Sequence, residues 1–220
     1  MDDAQMAAFA RWTHLSETTF LLPASDPGAD YRVRIFTPER ELPFAGHPTL
    51  GSCHAWLQAG GRPKGELIVQ ECGIGLVRIR RDGQRLAFAA PPRIRSGPLD
   101  EADVARIARG LGIARSAIVA HAWCQNGPPW RAVMLRSAEQ VLAVKADSAV
   151  LSGWEVGVVG PQAVGSDTQL EVRAFFTGNN GIAEDPVTGS LNAALAQWLI
   201  GDGLAPPSYV AAQGSAMGRA

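Results

Sequence analysis

Cysteine is scarce in this chain: there are three, Cys53, Cys72 and Cys124, odd in number and without C-x-x-C spacing. That excludes a disulfide framework and gives no zinc-site pattern. Charge is thin as well. Charged residues make up 19% of the 220, twenty basic against twenty-one acidic, and neither sign gathers into a run. Nucleic acid and an anionic membrane therefore have no electrostatic basis as partners. No signal-peptide pattern is visible, nor any run of about eighteen apolar residues, the length that marks a membrane span. The default expectation is a soluble protein of a reducing cytoplasm. What the chain does have is an apolar fraction of 46%, enough for real cores in one large or two small domains.

The most informative stretch runs from Asp185 through Pro186, Val187, Thr188, Gly189 and Ser190 to Leu195, because His47 to Leu57 says nearly the same thing. Both fit P-x-x-G-S-x-x-A-x-L, with five identities. Each follows a strand-like segment, Val33-Arg34-Ile35-Phe36 and Val172-Arg173-Ala174-Phe175. A repeated strand, loop and helix start implies a duplicated architecture whose function lies where the two loops meet. Proline suits the first helical position, which makes His47 and Asp185 the expected N-caps, and the apolar stretches that follow predict two buried helices. A helix start presents unpaired N–H groups and partial positive charge, so two of them suit a small anionic substrate.

Elsewhere the patterns predict a helix capped by Asp2 or Asp3, with Met6, Phe9 and Ala10 on its apolar side. Strands are expected at residues 18–22, 31–37, 67–70, 76–80 and 86–89. Pro91 to Pro98 reads as a linker, which places the two domains at 1–95 and 96–220. A capped helix at 100–111 follows, then strands near 117–122 and 131–135, a helix from Ala138, and strands at 155–159, 170–176 and 209–212. Few helices and many short strands indicate an α+β fold. Gly178-Asn179-Asn180-Gly181 reads as an ordinary loop, and the Trp123, Asn126 and Trp130 region receives no role. His14, His54 and His121 read as surface or structural residues.

Three segments, Leu15-Ser16-Glu17-Thr18-Thr19-Phe20, Phe44-Ala45-Gly46-His47-Pro48-Thr49-Leu50-Gly51 and Glu184-Asp185-Pro186-Val187-Thr188-Gly189-Ser190, together resemble the phenazine biosynthesis PhzF-like isomerase family. The likeness runs nearly the length of the chain. It implies the diaminopimelate epimerase-like fold, two pseudo-symmetric barrels each around a central helix, with the site in the cleft between them. Members of the family begin with a further strand pair carrying a Gly-Asn-Pro motif and continue past this chain's last residue, so each half is expected to lack strands. The resemblance also implies a homodimer and no metal or organic cofactor.

In that family the glutamate of the S-E-T-T-F motif is the acid/base, which falls on Glu17. The resemblance likewise brings His47, Asp185 and Ser190 into the site. A carboxyl that removes and returns a proton at carbon works best with its pKa raised toward neutral, and the apolar strand after Glu17 suits that. His47 and Asp185 would hold a hydroxyl or amine of the substrate. Ser190 and the amides of Gly46, Gly189 and Ser190 would receive its carboxylate. The implied activity is cofactor-independent isomerisation of a small cyclic or unsaturated carboxylate. A non-catalytic small-molecule binder or inactive fragment is the alternative. A two-base amino-acid racemase needs a thiol at each helix start; here the starts carry Ser52-Cys53 and Ser190-Leu191, so the pair cannot form.

Overall fold

The computed structural model describes residues 1–178 and 181–219; Asn179 and Asn180 of the expected loop lie outside them. The described chain divides into two compact units, Met1–Ala89 and Ala90–Ala220. The fold is α+β, as the patterns indicate.

The first unit opens with helix α1 (Asp3–Thr13), closed at its start by a reciprocal capping box. The Asp2 carboxylate accepts from the Gln5 amide at 2.8 Å and the Gln5 side chain accepts from the Asp2 amide at 3.0 Å. It ends at His14 in the left-handed region, φ 54°. Strands β1 (Thr18–Leu22), β2 (Tyr31–Phe36) and β3 (Glu41–Leu42) lead into helix α2 (Gly46–Gln58), and β4 (Ile68–Cys72), β5 (Gly75–Asp82) and β6 (Arg85–Phe88) complete the sheet. Its order is β1-β2-β4-β5-β6, with β3 also on β2. Alternation along β2 sends Tyr31, Val33 and Ile35 to the side of Cys53 on α2, whereas Phe36 joins Met6 and Ala10 of α1. Helix α2 touches β1, β2, β4 and β6, so the sheet curls around it.

Two expectations change here. Phe9, placed on the apolar side of α1, is exposed and packs its ring against Trp12 and Phe20. Helix α2 is buried on one face only: Pro48, Thr49, Ser52 and Cys53 point inward, while Gly51, His54, Ala55 and Gln58 are exposed. The polar His54 and Gln58 occupy that outer face.

In the second unit the linker-like segment is tied to the sheet. Ile94 and Arg95 donate their amides to the Gln125 carbonyl, and Gln197 Nε2 donates to the Pro91 carbonyl. These bonds place residues 90–95 with the second unit. Helix α3 (Glu101–Gly110), strands β7 (Ala120–Gln125) and β8 (Pro129–Met134) and helices α4 (Ala138–Ala143) and α5 (Ser148–Leu151) precede β9 (Val156–Pro161), β10 (Leu170–Gly178) and β11 (Gly181–Asp185). Helix α6 (Gly189–Gly201) and strand β12 (Ala211–Gln213) follow. The sheet order is β11-β10-β9-β8-β7, with β12 also on β10. One face packs on α6 through Leu191, Leu195, Trp198 and Leu199; the other carries α3, α4 and α5 over Val133, Val156, Val158 and Phe175. Gly157 lets α6 come close, since a Cβ there would stand 2.5 Å from Leu191 Cδ1.

The duplication is topological and covers four strands of each sheet. A central strand (β2 or β10) carries a long antiparallel neighbour on one edge (β1 or β9). Its other edge is shared by a short antiparallel partner (β3 or β11) and, beyond the helix, a parallel strand (β4 or β12). Side chains repeat too. Arg34 of β2 grips Glu41 of β3 through two bonds, 2.7 and 2.6 Å, and lies over the Phe36 ring. Arg173 of β10 grips Glu184 of β11 at 2.8 and 2.7 Å and lies over Phe175. The third nitrogen of each reaches the outer helix layer. In Arg34 it binds Asp3 at the start of α1; in Arg173 it binds the carbonyls of Val141, Leu142 and Val144 at the end of α4.

The Arg173–Glu184 pair is the more buried, with side chains 9% and 16% exposed against 14% and 41% for Arg34 and Glu41. Removing one partner of a buried pair leaves a stranded charge and costs about 3–5 kcal/mol. Glu184→Leu should therefore lower the unfolding free energy measured in urea by that order, and Glu41→Leu by much less. Equal losses in the two variants would show that burial does not set the strength of the fork.

Candidate active site

Glu17 stands immediately before β1, on the side of the sheet that α2 covers, and His47 is the second residue of α2. His47 Nε2 lies 3.1 Å from Glu17 Oε2, with the side chains 40% and 19% exposed. The approach lies off the hydrogen-bond axis: Glu17 Oε2 is shielded from solvent and has no aligned donor. A shielded carboxylate oxygen without a donor is costly, on the order of 1–3 kcal/mol, and its lone pair is open to a proton. The strand after Glu17 is half-buried where an apolar interior was expected, because Leu21 faces solvent. His47 is not the N-cap. That position belongs to Ala45, which has no side chain to offer, and Gly46 opens the helix. Pro48, third in the helix, still costs no hydrogen bond, because first-turn amides have no intrahelical partner.

Asp185 is not an N-cap either. It ends β11, paired with Ala174, and the cap of α6 is Thr188. The Asp185 carboxylate instead accepts from the Thr188 hydroxyl at 2.7 Å. Gly189 and Ser190 are the first two residues of α6, so their amides are free of helix bonds, as an anion-holding role requires. Ser190 Oγ accepts from the Trp130 indole at 3.0 Å, which leaves the hydroxyl hydrogen to be given elsewhere. Asn126 Nδ2 donates to the Ser190 carbonyl at 2.9 Å, and its own Oδ1 is enclosed without a partner. Trp130 and Asn126 thus serve the helix start; their only sequence signal was that they flank the Gly127-Pro128-Pro129 turn. Gln213 carried no signal at all, yet it makes four hydrogen bonds to the same loop.

The structure therefore brings Glu17 and His47 together in the first unit, and gathers Asp185, Thr188, Gln213, Gly189, Ser190, Trp130 and Asn126 around the start of α6 in the second. Among the described residues no group of three or more His, Cys, Asp or Glu side chains is arranged to hold a metal ion. No described helix is long and apolar enough to cross a membrane. In a surface depression lined by Pro27, Gly28, Asp30, Lys64 and Glu66, two of the charged residues are engaged within the fold: Lys64 Nζ binds the Pro27 and Ala29 carbonyls, and Asp30 accepts from the Lys64 and Val69 amides.

The family described as phenazine biosynthesis-like protein, PhzC-PhzF, matches residues 1–220. Over 236 residues the chain is 34% identical to antisense-enhancing sequence 1 of Schizosaccharomyces pombe, covering all of this chain and 78% of that protein. It is 33% identical over 196 residues to trans-2,3-dihydro-3-hydroxyanthranilate isomerase of Pseudomonas fluorescens, covering 88% and 68%. A crystal structure of a Bacillus anthracis phenazine biosynthesis protein of the PhzF family superposes with TM-score 0.79 at 18% identity, covering 99% of this chain and 78% of that one, and speaks to the fold alone. A predicted epimerase of Pseudomonas aeruginosa gives TM-score 0.64 at 27% identity, covering 93% and 73%.

The remaining histidines lie apart from these groups. His14 and His54 are exposed. His121 accepts the Leu99 amide on Nδ1 at 3.1 Å, which requires that nitrogen to be unprotonated. Burial, and then Arg115, hold its pKa below the usual 6.5, with Glu101 opposing. A base whose pKa is lower folded than unfolded takes up protons on unfolding, so its contribution is present above the unfolded pKa and is lost as pH falls below it. The urea midpoint should drop between pH 7.5 and 5.5, and His121→Asn should flatten that drop. An unchanged pH slope in His121→Asn would rule the histidine out as its source.

Proposed function

We propose, for a chain that belongs to the phenazine biosynthesis-like (PhzC-PhzF) family and is an isomerase of that family, that Glu17 moves a proton between two carbons of a small cyclic or unsaturated carboxylate without a cofactor. The observation that carries this reading is the Glu17–His47 contact, in which a shielded carboxylate oxygen has an imidazole at 3.1 Å and no aligned donor. Such an oxygen is a suitable proton acceptor, and the imidazole beside it steadies either protonation state.

The Glu17 carboxylate takes a proton from one carbon, and the electron pair left behind spreads into the adjacent unsaturation. The resulting carboxylic acid returns the proton to a second carbon, which moves the double bond and regenerates the base. His47 orients Glu17 and donates to a hydroxyl or amine of the substrate. Asp185 accepts from such a group, and Ser190 with the Gly189 and Ser190 amides receives the carboxylate; Gly46 offers its amide in the same way. A two-base racemase is further disfavoured, since Cys53 is fully buried with its thiol pKa pushed up by burial, and Leu191 occupies the corresponding place in α6.

The test is deuterium incorporation at carbon, followed by NMR in deuterium oxide on a panel of small cyclic and unsaturated carboxylates. The panel includes trans-2,3-dihydro-3-hydroxyanthranilate, after the substrate named for the Pseudomonas relative. Glu17→Gln should cut exchange by roughly 10²- to 10⁴-fold, the usual worth of a general base, while far-UV circular dichroism stays unchanged. Exchange that persists in the folded variant would remove Glu17 from the chemistry.

A further inference from the structure

The carboxamide of Gln213 has only one orientation that satisfies its neighbours. The Thr188 amide, 3.1 Å away, is a donor, so the atom facing it is Oε1; the Asp185 carbonyl, 2.8 Å away, is an acceptor, so the atom facing it is Nε2. Oε1 also accepts from Asn192 Nδ2 at 2.6 Å. The second Nε2 hydrogen goes to Thr188 Oγ1 at 2.9 Å. With its oxygen accepting from Gln213, Thr188 has its single hydroxyl hydrogen left for Asp185 Oδ2, 2.7 Å away. Each bond in this chain has a fixed direction, and the last one ends on the carboxylate.

The first unit holds a glutamine–threonine pair of its own, at places that do not correspond in the repeat, and it ends differently. Gln70 of β4 donates to Thr49 Oγ1 at 3.1 Å and accepts from the Tyr31 hydroxyl at 3.0 Å, all three residues being almost wholly buried. There the glutamine–threonine pair closes within the core. In the second unit it is turned toward a carboxylate that is part of the candidate site.

We propose that Gln213 is a positioning residue: through Thr188 it fixes the Asp185 carboxylate in one orientation, as a hydrogen-bond acceptor. The proposal rests on the reading that Asp185 serves the isomerisation. It assigns Asp185 the holding of a donor group on the substrate, and it assigns the last strand, far from every motif, a part in the site's geometry.

Gln213→Glu is the informative variant, because it keeps the acceptor oxygen that serves the Thr188 amide and Asn192 while removing the donor half. Thr188→Val removes the hydroxyl, and Thr188→Ser restores it. The first readout needs no substrate: the Asp185 side-chain carboxyl ¹³C resonance, assigned with Asp185→Asn, should show a solvent isotope shift from the Thr188 hydrogen bond. The shift should be present in the parent and Thr188→Ser, and absent in Thr188→Val and Gln213→Glu. The second readout is the deuterium exchange of the dihydro-hydroxyanthranilate probe and the rest of the panel. There Gln213→Glu and Thr188→Val should lose on the order of a hundredfold in kcat/KM, the cost of misplacing one group, with Thr188→Ser near the parent. An unchanged carbon resonance in Gln213→Glu overturns the proposal whatever the kinetics. A changed resonance with unchanged kinetics overturns it as well. If the parent itself exchanges no deuterium, the isomerase site reading fails on its own, and the resonance alone then decides whether Gln213 sets the Asp185 carboxylate.

Discussion

The arginine–carboxylate fork, formed twice, is the interaction on which both halves depend. Burying a guanidinium is expensive unless its donors are met, and here each is met in two-point geometry by a carboxylate on the adjacent strand, opposite the residue two positions along. Arg34 and Arg173 sit on the central strands; Glu41 and Glu184 sit on the short strands that turn the chain toward α2 and α6. β3 pairs through only two residues, so its ladder alone is weak. The fork supplies what the ladder lacks, and it also ties the sheet to its outer helix. The candidate residues come just afterwards: Asp185 directly follows Glu184, and His47 stands in the first turn of α2, a few residues beyond Glu41. Their placement is inherited from the fork.

On this repeated frame the two helix starts are built differently. Helix α2 begins before its proline and takes His47 into the first turn, where the ring meets Glu17. Helix α6 begins after its proline, so Asp185 stays on the strand and is held by Thr188 and Gln213. Proline's missing N–H is no loss either in a first turn, where α2 has it, or ahead of the cap, where α6 has it, so one motif accommodates both starts. The repeat constrains the frame and leaves the loops free to diverge.

The same tolerance explains what the amino-acid sequence reveals and what it conceals. The strand alternation of Tyr31 to Phe36 and the P-x-x-G-S repeat disclose the duplicated α+β frame, because burial on one sheet face leaves a period-two record. The N-caps are misread, since proline does not fix whether the helix begins before it, as in α2, or after it, as in α6. β3 is missed because two residues carry no period, and β11 because its sequence, Gly-Ile-Ala-Glu-Asp, does not alternate. Of the site, the loops of His47, Asp185 and Ser190 emerge from the repeat, while Glu17 and the roles of all four emerge only through family resemblance. Gln213 and Trp130 stay hidden for another reason: each acts through one hydrogen bond or a few to residues distant in sequence, and such contacts leave no periodicity.

A duplicated frame invites a duplicated mechanism, with one base from each half. The strand register argues against it. Thr18 pairs with Phe36 and Val156 with Phe175, the two phenylalanines that lie under the fork arginines, so the residue corresponding to Glu17 is Glu155. In the repeat, the residue corresponding to His47 is Asp185. The first half therefore joins a carboxylate to an imidazole, two groups that share a proton readily. The corresponding places in the second half hold Glu155 and Asp185, with an imidazole at neither. The thiol alternative fails on the same comparison, with Cys53 buried and Leu191 opposite it in the repeat. The proposed proton transfer therefore rests on the Glu17–His47 pair of the first half, whereas the second half presents an oriented acceptor at Asp185 and a donor at Ser190.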